Sequence, residues 1–311
     1  MGIEVKEVNY GDQGHCVRIS NHFIDVVVSI DYGPRILRIG FLDDTNLLYY
    51  DAEQHNVFAN QEWKSYYGPQ TAFHVYGGHR VCLAPDRMPQ SYYPDNDPVI
   101  YGPLNGGVRF TPPRQKGNDV QLSFEVMMGT DASDVMIVNK MRNCSHESKR
   151  VSLCGSTLMA PGGVVIIPQN SSGEEKYQPN RNFSLWPFSS FHDDRLSLGD
   201  KYILVRQAPS GRDLKFGVND LQGWAGYSNH GCTLVKRFVH TVGQPYPDFG
   251  SSLETCICND YAELRTLSPL YTVEPGEGIR HVENIALFHS SDLQMGLSEV
   301  MVDDYVNHLG I

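Results

Sequence analysis

The stretch Ser251-Ser252-Leu253-Glu254-Thr255-Cys256-Ile257-Cys258-Asn259-Asp260-Tyr261-Ala262-Glu263-Leu264-Arg265 carries the most information in the chain. After it come Ser268-Pro269-Leu270, Glu274-Pro275-Gly276-Glu277-Gly278 and Val282 to Phe288. Ser252 to Cys258 and Val282 to Phe288 keep a hydrophobic period near two, which reads as strand, and the Pro-Gly pair between them reads as a turn. Side chains on a strand point alternately to its two faces. With Leu253 on a core, Glu254 faces the other way, onto what a β-sandwich would offer as a concave floor.

The same period persists through most of the chain. Cys16 to Ile19, Phe23 to Ile30, Arg35 to Phe41, Val120 to Met128, Val135 to Met141, Val151 to Thr157, Tyr202 to Gln207 and Thr233 to Phe238 read as strands. Turn signals separate them, among them Asp31-Tyr32-Gly33-Pro34, Asn105-Gly106-Gly107 and Pro161-Gly162-Gly163. Two stretches are candidates for helix: Asp51 to Ser65, and Leu293 to Leu309 behind a Ser290-Ser291-Asp292 cap. Pro85 to Pro103 and Gln169 to Asp194 are long polar loops, and loops of that length in a compact domain usually carry function. Neither has the composition of a linker. The expectation is one domain over residues 1–311, all-β and mainly antiparallel, built as a large β-sandwich with few peripheral helices.

Composition narrows the function. The chain of 311 residues has 25 Lys+Arg against 36 Asp+Glu, a formal net charge of −11. A phosphate-binding surface needs a basic footprint that this balance does not supply, so no nucleic-acid partner is expected. No run approaches the ~18–20 apolar residues of a membrane-spanning helix, so no membrane partner is expected either. Met1 to Glu7 has neither a basic start nor an apolar core, so no signal peptide is expected, and the expected location is cytoplasmic. The seven cysteines are scattered and form no C-x-x-C pair, which argues for buried thiols in a reducing compartment. No metal or cofactor is expected. Walker, Gly-x-Gly-x-x-Gly and His-Glu-x-x-His strings are missing, which leaves nucleotide, dinucleotide and zinc-protease readings without support.

Two further regions carry chemistry. Phe73-His74-Val75-Tyr76-Gly77-Gly78-His79-Arg80-Val81-Cys82-Leu83-Ala84-Pro85 places two histidines and an arginine around a Gly-Gly turn. Lys215-Phe216-Gly217, Gly223-Trp224-Ala225-Gly226-Tyr227, Lys236-Arg237-Phe238 and Pro245-Tyr246-Pro247-Asp248 interleave aromatic rings with charges. Carbohydrate sites use that mixture: rings stack on sugar faces while charged side chains bond the hydroxyls.

The C-terminal stretch resembles the closing segment of the galactose mutarotase-like superfamily, the aldose 1-epimerases and their relatives. There a Leu-Glu-Thr strand is followed by a Pro-Gly-Glu turn and a final strand. The Gly-Gly-His-Arg-Val-Cys-Leu-Ala-Pro string is similar to the Gly-Gly-Ile-Pro-Val-Cys string of the hexose-6-phosphate epimerase branch. With the Tyr-Tyr-Pro-Asp, Val-Lys-Arg-Phe, Tyr-Pro-Asp-x-Gly and Glu-Leu-x-x-Leu-Ser-Pro-Leu strings, the resemblance covers most of residues 5–290 and is best to an uncharacterised branch. It implies a supersandwich fold and a small-molecule carbohydrate or sugar acid as partner. It also implies Glu254 as catalytic base and His79 and His74 as candidate catalytic acids. Arg35, Arg80, Lys215, Lys236, Arg237, Tyr246, Asp248 and Trp224 are the candidates for substrate contact.

Mutarotation requires a base to take the anomeric hydroxyl proton and an acid to protonate the ring oxygen. Classical epimerases carry the acid in a mid-chain Asn-His-x-Tyr-Phe string. The matching stretch, Val138 to Thr157, has an Asn143 turn but no histidine at that place. His74, His79, His240 or Lys236 would have to serve instead. Two readings follow: an aldose or sugar-phosphate 1-epimerase with Glu254 as general base, and a non-catalytic carbohydrate-binding or sensing protein on the same fold.

Overall fold

Val120, Leu122, Phe124, Val126 and Met128 are buried along the strand Val120–Met128, whereas Gln121, Ser123 and Met127 are only half-buried. A strand with one apolar face must place that face against another layer, and here two large sheets do so for each other. The computed structural model describes residues 2–170 and 177–311. The first sheet has eleven strands and the second ten, and their facing surfaces merge in one core. Val26, Phe216, Leu253 and Leu264 enter it from the first sheet, and Phe110, Phe124, Leu234 and Ile285 from the second. The architecture is mainly antiparallel β with few helices, as the period-two pattern predicts.

The middle of the first sheet positions the site. Its strands run in the order His79–Ala84, Lys149–Met159, Ala262–Leu267, Leu253–Ile257 and Leu214–Val218, each antiparallel to the next. Leu253–Ile257 is buried at every position. Leu253 and Ile257 pack into the core between the sheets. Glu254 and Cys256 take the opposite face.

The helices sit differently from the sequence expectation. Asp51 to Ser65 is not helical at its start, because the Asp51 carboxylate accepts the backbone N–H groups of His55 and Asn56 at 3.1 and 2.7 Å and holds a loop. The helix there is Gln61–Tyr67, capped by the Asn60 side chain, which accepts the Trp63 N–H at 2.8 Å. The last helix is Glu299–Leu309 with Ser298 as its cap. Ser290 and Asp292 are occupied elsewhere: Ser290 bonds Thr233 and Tyr305, and Asp292 accepts the Gly231 N–H. The long loops also contain more pairing than their polarity suggests. Ile100–Leu104 is a strand, and Phe183–Leu185 pairs with Leu214–Val218 at the sheet edge. Residues 171–176 of the second loop lie outside the described residues.

Candidate functional site

The Gly-Gly turn exists because two backbones meet there. Gly77 and Gly78 have φ of 99° and 68°, and a Cβ on Gly78 would lie 2.0 Å from the Ile36 carbonyl oxygen. Only glycine fits such an approach. The turn leads into His79–Ala84, where alternation sends His79 toward the core and Arg80 outward.

On that outer face Arg80, Ser156, Lys215, Cys256, Glu263 and Arg265 converge on one cleft of about 400 Å³. Loop residues complete it. Asp86 and Asp213 add carboxylates, and Phe58, Phe73, Tyr92, Trp186, Phe188 and Tyr261 add rings. The Lys215 ammonium lies 4.3 Å from the centre of the Trp186 ring, within cation–π range. Phe58 and Phe188 are 52% and 45% exposed, so their faces remain open to solvent or ligand.

The floor is an ion network. Asp86 accepts a forked pair of bonds from Arg265 at 2.6 and 2.8 Å and a third from Lys215 at 3.1 Å. Below it, Oε2 of Glu254 lies 3.4 Å from both Lys215 Nζ and Arg265 Nη1. Glu254 is 1% exposed, is absent from the cleft lining, and its Oε1 has no hydrogen-bond partner among the described residues. Gly217 sits cross-strand from Glu254, and a Cβ there would approach Ser251 Oγ to 2.4 Å and Glu254 Cγ to 3.3 Å. The missing side chain therefore leaves room for Ser251 and for the stem of Glu254.

Charge counting explains the electrostatics. Lys215 and Arg265 face three carboxylates: Asp86, Glu254, and Glu263 at 3.8 Å from Arg265 Nε. One acid is in excess, and the most buried holds its proton longest. Burial pushes Glu254 up to about 7, against the pull of Arg265 and Lys215 and with further upward pressure from Asp248 and Asp86. Burial also pushes Asp86 up, but Arg265 and Lys215 outweigh it and hold that carboxyl well below the usual range. Burial and Arg265 press Lys215 down, yet Glu254, Asp86 and Glu263 keep it above the ordinary lysine value. Lys215 is accordingly a fixed cation.

The sequence candidates divide by face. Arg80 and Lys215 line the cleft, with Glu254 directly beneath Lys215 and Asp248 beside Glu254. His79 and Lys236 lie between the sheets, fully buried. There Lys236 Nζ donates to Gly155 O at 2.7 Å and Thr157 Oγ1 at 2.9 Å and pairs with Glu283 at 2.8 Å. His79 bonds Thr157 at 2.9 Å and lies 3.6 Å from the same carboxylate. Burial lowers His79 to about 4, which leaves it a neutral imidazole at pH 7.

His74 stacks on Tyr76 at 5.2 Å and does not line the cleft, although its neighbours Phe73 and Val75 do. Arg35 is buried against Asp95 at 3.1 Å and lies 5.9 Å from the Tyr76 ring. Arg237 and Trp224 pair across strands of the second sheet, where Trp224 packs against the C-terminal helix. Tyr246 stacks on His240 at 4.6 Å, and its hydroxyl accepts the Thr241 N–H.

Asp86, Trp186, Glu263 and Arg265 are cleft residues that the sequence candidates omit. Arg265 and Glu263 were within reach, because they occupy alternate positions on the strand paired with Glu254. Asp86 and Trp186 lie in aperiodic loop sequence, where no local signal marks them.

By its likeness to solved structures, the chain has the galactose mutarotase-like fold. Solved structures that share it include a candidate aldose 1-epimerase from Klebsiella pneumoniae subsp. pneumoniae MGH 78578, with a TM-score of 0.59 and 14% identity over 99% of this chain and 86% of that one. A galactose mutarotase-like protein from Lactobacillus casei ATCC 334 matches with a TM-score of 0.58 and 11% identity over 88% and 100%. Another, from Clostridium acetobutylicum, matches at 0.52 and 12% over 93% and 99%. No protein-family model matches the chain, and no curated protein does. At such identities the likeness speaks for the fold alone.

Proposed function

We propose that the protein is carbohydrate-active and that the cleft above Lys215 and Arg265 binds a small sugar. The observation that carries this reading is the convergence, in about 400 Å³, of three cations and three carboxylates with rings including Trp186 and the half-exposed Phe58 and Phe188. Alternating donors and acceptors suit vicinal hydroxyls, and aromatic faces suit the C–H face of a pyranose. Arg80 is the one cleft cation with no carboxylate within ion-pair distance among the described residues, so a sugar acid has a counter-charge there. Saturation-transfer NMR and calorimetry with a panel of aldoses and uronates test the proposal. Binding that weakens in Trp186→Ala supports it, and no binding across the panel at millimolar ligand overturns it.

A 1-epimerase is the second reading, favoured by the position of Glu254 near pH 7 and its unpartnered Oε1. Glu254 reaches a sugar only after Lys215 and Arg265 part, because both cover it in this structure. Anomer exchange measured by NMR separates the two readings. Acceleration by the wild type that is lost in Glu254→Gln supports catalysis, whereas sugar binding without acceleration leaves the protein a binder.

A further inference from the structure

Two of the seven cysteines line the cleft, and they are neighbours. Cys256 and Cys258 flank Ile257, with their sulfurs 3.7 Å apart. We propose that this dithiol is a modification site, closing to a disulfide when the protein meets a low-molecular-weight disulfide such as oxidised glutathione. The inference is independent of whether the cleft takes a sugar.

Position gives the two thiols different roles. Cys256 lies within the strand Leu253–Ile257 and is 8% exposed, whereas Cys258 lies just past the strand end and is half-buried. Cys258 is tied to the hairpin by its N–H bond to Tyr261 O at 2.9 Å. The sulfurs must approach by about 1.7 Å to reach bonding distance, a movement that side-chain rotation and a small shift at the strand end supply. Cys16, Cys82, Cys154 and Cys232 are buried. Cys82 and Cys154 face each other across paired strands, but their thiols lie beneath the Arg265 guanidinium, 3% and 0% exposed, and are closed to a tripeptide disulfide.

The chemistry balances in two exchanges. The Cys258 thiolate attacks oxidised glutathione, the glutathione S–S bond breaks, and one glutathione thiolate leaves. Cys256 then attacks the Cys258 sulfur, the protein–glutathione S–S bond breaks, and the second glutathione leaves with the Cys256 proton. Two protein thiols are oxidised and one glutathione disulfide is reduced. In the reduced protein the hydrogen bond that the Cys256 thiol makes to the Cys258 sulfur, followed by burial, holds Cys256 well above its ordinary pKa. That bond is gone once Cys258 is in a mixed disulfide, which removes the first of these two effects before the second step.

The sequence provides a clean readout, because the tryptic peptide Phe238–Arg265 contains Cys256 and Cys258 and no other cysteine. The folded protein is incubated with oxidised glutathione, alkylated, digested and analysed by mass spectrometry. The expected result is loss of two hydrogens in Phe238–Arg265, reversed by dithiothreitol, with the Cys82 and Cys154 peptides unchanged. Cys256→Ser stops at one glutathione on Cys258, and Cys258→Ser leaves the peptide unmodified. The proposal is overturned if the wild-type peptide stays fully alkylated, keeps glutathione without closing, or cross-links to another cysteine peptide.

Discussion

Replacing Glu254 with glutamine tests the charge count beneath the cleft. Glutamine keeps the shape of the protonated acid but cannot ionise. The wild-type carboxyl rises from 4.5 to about 7 on folding, chiefly by burial. Between those values the native state holds a proton that the unfolded state has released, so this group's contribution to stability is present below pH ~4.5 and is lost as pH rises to ~7. The rise from 4.5 to about 7, at ~1.4 kcal/mol for each tenfold change in the proton equilibrium, amounts to about 3.5 kcal/mol in full. The assay is urea unfolding of wild type and Glu254→Gln at several pH values between 4.5 and 8. We predict that the variant gains about 3 kcal/mol relative to wild type across that range. The comparison matters because His79 and His281, both lowered to about 4 by burial, act in the opposite sense over part of the window and cancel in the difference. A difference that does not change with pH would show that Glu254 is ionised throughout and refute the argument from excess carboxylate.

Lys236→Met removes the ammonium from a fully buried Glu283 and leaves it Asn139 and Thr266 as neutral donors, so we expect a loss of about 3–5 kcal/mol in urea unfolding. Loss under 1 kcal/mol would mean that the carboxylate takes up a proton at little cost. His281→Gln removes a buried imidazole that must charge on acidification, so stability should fall less between pH 6.5 and 4 than in the wild type. Trp186→Ala should weaken sugar binding on the order of tenfold by calorimetry, the value of one aromatic stacking partner. Arg80→Gln should weaken a uronate more than its parent aldose, and equal losses would remove Arg80 as an anion contact.

Legibility followed the range of the interactions. Val120 to Met128 reads as a strand and is one over those residues, because its alternation has a single cause, one face on the core. Asp51 to Ser65 shows the opposite case. Its helical look gave way to an Asp51 carboxylate that captures two backbone N–H groups. Among the site candidates, Glu254, Arg80 and Lys215 share one sheet face, while His79 is one residue from Arg80 and faces the core. A one-residue step changes the face of a strand, so proximity in sequence to a cleft residue carries no site information by itself.

From sequence alone follow the strand period, the Gly-Gly turn and a carboxylate facing away from Leu253, because alternation and backbone sterics act within a few residues. The partners of that carboxylate were decided only by the tertiary structure. Lys215 comes from a strand 39 positions before Glu254 (254 − 215), Arg265 from the next strand, and Asp86, which shares both cations, from a loop 168 positions before it (254 − 86). The same assembly places Lys236 in the core and Lys215 at the cleft, although both are strand lysines in the sequence. Burial and charge balance are sums over all the neighbours that folding brings together, and no local pattern contains them.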